Sequence, residues 1–93
     1  MNIRISCRDK YEAQKLSSLL AIKDSKEILI TEILNVVDTE VVVCLKDKSA
    51  QSILFKSIHD VELFADFIQS VQEKKHKIIE VTISNEEIEI VKK

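Results

Sequence analysis

The 93-residue chain contains no glycine and no proline. Average usage would place about ten of the two in a chain of this length. A phosphate-cradling P-loop, a GxGxxG dinucleotide turn, a nucleophile elbow and an EF-hand loop all need glycine, for positive φ or close backbone approach. None of them is encoded. Turns fall instead to Asn, Asp and Ser, which enter the left-handed region at some cost. No apolar run approaches the roughly 18 residues of a membrane span. The first residues, MNIRISCRDK, lack the apolar core of a secretion signal, so a cytoplasmic location with reduced Cys7 and Cys44 is expected. Tyr11 and the three phenylalanines do not alternate with Lys or Arg, so a base-stacking platform is missing. The net charge of −2 adds no attraction to nucleic acid or anionic lipid, and neither is expected as a partner.

What is present is an ordinary globular composition, 45% hydrophobic and 32% charged, enough for a single α+β domain over 1–93. The organising stretch is Ser57 to Lys74. There Val61, Phe64, Ala65, Ile68 and Val71 recur at helical spacing, and Leu63 and Phe67 widen the stripe. Ser57 and Asp60 form its N-terminal capping pair, while Lys74, Lys75 and His76 place positive charge at its end. Upstream, Asn2 to Cys7 alternates as a half-buried strand. Residues 10–22, capped by Asp9, carry Ala13, Leu16, Leu19 and Leu20 on one helical stripe.

The stretch 26–37 suits either a strand or a helix capped by Asp24 and Glu27. A strand is favoured, because the Asp38-Thr39 turn and Glu40 to Lys46 then complete a hairpin. Glu40 to Lys46 is apolar on both faces and belongs at the centre of its sheet. Residues 48–56 read as a short strand around Ile53 to Phe55 or as an extension of the long helix. The C-terminus forms a hairpin: Ile83 faces Ile88 and Val81 faces Ile90 across an Asn85-Glu86 loop, with Glu80, Thr82, Glu87 and Glu89 on the wet side. No internal repeat is visible. The expected fold is a mostly antiparallel sheet with two helices on one face, a ferredoxin-like βαββαβ kernel plus the C-terminal β-hairpin.

No constellation signals catalysis, and the chain is not expected to be an enzyme. Ser57, His59 and Asp60 are too close on a helix start to hold triad geometry, and capping accounts for them. His59, His76, Cys7 and Cys44 show no CxxC, HxH or HExxH spacing, so neither metal nor cofactor is expected. The cysteines act as small apolar residues on strands. Glu80, Glu87 and Glu89 form a solvated face without the one-loop density of a calcium site.

What remains is surface. Two helices cover one sheet face, yet the middle strands are apolar on both. Either Val42 and Cys44, or Val41, Val43 and Leu45, must therefore point away from the helices, together with part of Ile28, Leu29 and Ile30. The expected interface is Val41, Val42, Val43, Cys44, Leu45, Ile28 and Ile30. It would serve a protein partner or a second copy in a homodimer, unless the segment after Lys48 folds across it.

The succession NIRISC, DKYEAQKLSSLL, EVVVCLK, DVELFADFIQSVQEKKHK and IIEVTISNEEIEIV resembles the effector-associated constant component domains of bacterial conflict systems. That resemblance implies a non-catalytic adaptor or regulatory partner of a defence effector and carries over no site residues. A phage-type inhibitor or immunity protein is an alternative of similar size and charge. A weak nucleic-acid binder using Arg4, Lys74, Lys75 and Lys77 is a second alternative.

Overall fold

The computed structural model describes residues 2–20, 28–73 and 78–92. Its elements run β1 (Asn2–Ser6), α1 (Lys10–Leu20), β2 (Ile30–Val37), β3 (Glu40–Leu45), β4 (Ala50–Leu54), α2 (Ile58–Gln72), β5 (Ile78–Ser84) and β6 (Glu87–Lys92). The ambiguous stretch 26–37 supplies a strand over 30–37, with residues 26 and 27 outside the described set. The other uncertain stretch forms β4, a separate strand that ends before the Ser57 cap. The basic cluster at 74–77 lies outside the described residues.

The strands make two antiparallel three-stranded sheets, ordered β1-β6-β5 and β2-β3-β4. This corrects the expectation of one sheet built on a ferredoxin-like kernel. The reason is β4. With β4 present, each half of the chain is a β-α-β-β unit, and each half's hairpin pairs with the leading strand of the other half. The hairpin β5–β6 takes β1, and β2–β3 takes β4. Among the described residues the sheets meet at one bridge, Cys7 to Phe55.

That exchange makes the fold two-fold pseudo-symmetric, a repeat the sequence does not show. Arg8 N–H donates to Leu54 O (2.9 Å), and Lys56 N–H donates to Ser6 O (3.0 Å). Cys7 N–H reaches Glu86 O in one hairpin turn (2.7 Å), as Phe55 N–H reaches Thr39 O in the other (2.8 Å). Ile5 opposite Ile88 matches Ile53 opposite Val41, and Ile3 opposite Ile90 matches Gln51 opposite Val43. On the helices, buried Ala13, Leu16, Leu19 and Leu20 correspond to buried Val61, Phe64, Phe67 and Ile68. The spacing between equivalents is constant up to Ile33 and one residue shorter from Asn35 onward. Leu34, at a register shift in β2, is the extra residue.

The helix starts lock the halves together. Asp9 accepts from Glu12 N–H (3.0 Å), and Ser57 Oγ accepts from Asp60 N–H (3.3 Å). In an ordinary capping box the fourth residue's carboxylate returns to its own cap. Here each carboxylate crosses to the other half. Glu12 Oε1 accepts from Leu54 N–H and Asp60 Oδ1 from Ser6 N–H, both at 2.9 Å.

One core results. Ile5, Val41, Val43, Ile53, Phe55, Phe64, Ile88 and Ile90 are all buried to within 1% exposure, with the Phe55 and Phe64 ring centroids 5.0 Å apart. Without glycine, Asp38 (φ 53°), Lys48 (φ 70°) and Asn85 (φ 56°) supply the left-handed backbone at three turns. Among the described residues, no helix is long and apolar enough to cross a membrane.

Candidate interaction surface

In β3 the inward side chains are Val41, Val43 and Leu45, all buried, and the outward ones are Val42 and Cys44, both half-buried. Ile28 and Ile30 are also buried. Of the seven expected interface residues, five therefore belong to the core of a single chain, and only Val42 and Cys44 reach the outer face. The sequence showed that one set must point outward but not which; burial by the helices decides it. The segment after Lys48 does not cross this face, because it pairs edgewise with β3 as β4.

The pseudo-symmetry supplies an internal comparison, since equivalent positions of the two sheets meet the same folding demands. The outer face of β1-β6-β5 carries Asn2, Arg4, Ser6, Glu87, Glu89 and Val91, with Arg4 Nε bonded to Glu89 Oε2 at 2.9 Å. The matching residues on β2-β3-β4 are Ala50, Ser52, Leu54, Glu40, Val42 and Cys44, so the two faces differ at Val42 and Leu54 and are both apolar at Cys44 and Val91. Ser84 likewise corresponds to Val37, which is 56% exposed. Leu34, the residue with no equivalent, is 52% exposed. Charge has been replaced by small and apolar groups on one sheet only, leaving Glu32 and Glu40 at its margins. Sequence reading missed Val37, Leu54 and Leu34, because their significance appears only once the halves are superposed.

Beside this sheet, a groove of about 470 Å³ lies between β2 and α2. Its apolar lining is Ile33, Ala65 and Ile68, and Glu32, Gln69, Gln72 and Glu73 add polar groups. The Gln69 amide holds Glu73 Oε1 at 3.2 Å, and the Gln72 amide donates to Thr31 O.

The remaining polar groups have structural partners. Glu12, buried near the seam, also receives Lys15 Nζ (3.1 Å), which in turn donates to Ser52 O (3.0 Å). Ser57 donates to Asp60 at 2.6 Å while His59 is exposed on the first turn, so the Ser-His-Asp residue types are a cap. Burial pushes the Cys7 thiol up to about 12, which keeps it protonated and unreactive. Among the described residues no group of His, Cys, Asp or Glu is placed to hold a metal ion. Searches among protein-family models, curated proteins and solved structures find no match to this chain.

Proposed function

We propose that this chain is a non-catalytic protein-interaction module that binds a protein partner through the outer face of β2-β3-β4. The observation that carries the reading is the internal comparison: Val42 stands where the other half has Glu89, Leu54 where it has Ser6, and Val37 where it has Ser84. Fold maintenance does not require this, because the sister sheet keeps the same register with charged and hydroxyl groups. An apolar centre bordered by Glu32 and Glu40 has the anatomy of an interface. The pattern-level resemblance to the effector-associated constant component family supports an adaptor or regulatory role beside a bacterial defence effector. A phage-type inhibitor would use the same surface, and its mark would be lost activity of the enzyme it binds.

The test borrows from the chain itself. Val42→Glu with Leu54→Ser installs the sister sheet's residues. Both sites are half-buried, so melting should move by no more than about 1 kcal/mol equivalent. Partners captured by the parent chain should be lost to the double variant, and unchanged capture would refute the assignment of this face.

A further inference from the structure

We propose that a second copy of this chain takes the place of either half of the fold, so that two chains exchange halves about a hinge at residues 46–49 and form a two-fold dimer. This goes beyond the partner reading above and does not rest on it.

Three observations carry it. First, the halves are held by each other more than by themselves. Among the described residues α1 packs on β4, β5 and β6, and α2 packs on β1 and β2, all strands of the opposite half. The shared caps cross in the same way, Glu12 accepting from Leu54 N–H and Asp60 from Ser6 N–H. The same half supplied by another copy satisfies all of these contacts. The chain's own half is favoured only by the tether between β3 and β4.

Second, among the described hairpins that tether is the one whose register lets it open. Cys44 pairs with Ala50, six residues on, which is an even separation. Side chains alternate along a strand, so residues an even number apart stay on one face when the turn is straightened. β3 and β4 then run on as a single strand, and two such strands pair antiparallel with Asp47 opposite its own copy. The other hairpins close on Val37 with Glu40 and Ser84 with Glu87, each three residues apart. Straightened, each would send paired side chains to opposite faces.

Third, this turn carries the greater strain. Lys48 holds φ 70°, and the left-handed region costs its long side chain more than it costs Asp38 or Asn85 in the other turns. Extension releases that strain. Opening gives up the bonds from Lys48 N–H to Leu45 O (2.9 Å) and from Ser49 to Asp47 Oδ1, while the Leu45–Ser49 bond re-forms between chains. The exchanged dimer carries the outer face of β2-β3-β4 twice, once on each lobe, which makes the module bivalent.

The full-length chain is refolded from urea at micromolar and at millimolar concentration, and its mass is read by light scattering after gel filtration. A dimer should form at the higher concentration and persist on dilution, because its release requires the core to open. Lys48→Val, which resists positive φ, should raise the dimer-to-monomer ratio at least about tenfold, and Lys48→Gly should lower it by a similar factor. Asp47→Asn keeps an acceptor in the turn but removes the like charges at the two-fold, so it should also raise the ratio. In a dimer of one isotope-labelled and one unlabelled chain, filtered NOEs should join Ile5 of one copy to Ile88 of the other. Monomers throughout at millimolar concentration, a ratio indifferent to residue 48, or Ile5–Ile88 contacts within one chain only would overturn the inference. So would a dimer dissolved by Val42→Glu with Leu54→Ser, since the outer face would then hold it. If that double variant loses captured partners while the parent chain stays monomeric, the interaction reading stands and only the exchange falls.

Discussion

Replacing Glu12 with Ala should destabilise the domain far more than a single surface carboxylate would suggest. Glu12 is 7% exposed and accepts the Leu54 amide of the other half. A hydrogen bond to a charged group contributes about 1.5–3 kcal/mol, and its loss strips Leu54 N–H of the partner it has here. The carboxylate also sits in the first turn of α1, where the helix dipole adds roughly 0.3–1 kcal/mol. Its pair with Lys15, whose side chain is 37% exposed, adds at most about 0.5 kcal/mol after solvent screening. The total is about 2–4 kcal/mol, which for a domain of this size lowers the melting temperature by roughly 10–25 °C. Urea and thermal unfolding followed by circular dichroism measure it, with an unchanged urea slope as evidence that the native state is retained. Glu12→Gln keeps an acceptor oxygen and should recover about half the loss. Asp60→Ala should cost a similar amount, because Asp60 holds Ser6 N–H in the equivalent position. A Glu12→Ala loss below about 0.5 kcal/mol, or a Gln variant no better than Ala, would refute a cap shared across the halves.

Further outcomes follow from the same geometry. Under native conditions near pH 8, iodoacetamide should label half-buried Cys44 and spare Cys7, whose labelling should track global unfolding; equal rates would contradict the buried thiol. Because the folded Cys7 pKa is raised from 9.0 to about 12, its contribution to stability is complete below pH 9 and lost as pH climbs through that window, measurable as a falling urea midpoint. Asp9 behaves in the opposite sense. Its carboxyl is held below its ordinary value chiefly by the Glu12 N–H, so its contribution is present above that value and lost on acidification, which carbon-detected titration would register. Lys48→Gly should stabilise by a few tenths to about 1 kcal/mol, since relief of the left-handed backbone is partly offset by glycine's entropy. Deleting Leu34 should leave a folded domain, because β5 makes the equivalent strand without that residue; unfolding of the deletion would mean that the extra residue is structural.

The sequence by itself determined the local elements. Spacing of Val61, Phe64 and Ile68 specified α2, alternation of Val41, Val43 and Leu45 specified β3, and Asn85-Glu86 specified the last hairpin, because each signal lies within a few residues of its partners. The missing glycines likewise excluded whole classes of phosphate and nucleotide sites. Only the tertiary structure decided which strand pairs with which, since Ile5 meets Ile88 through contacts that no local pattern encodes. It also revealed the repeat. Equivalents such as Leu16 and Phe64, or Cys7 and Phe55, share a burial requirement and not a residue type, so the two halves match in space while their letters differ. The candidate surface depends on that match: which side of β3 faces water is set by where the helices pack, and an outward valine becomes informative only beside the glutamate that occupies its place in the other half.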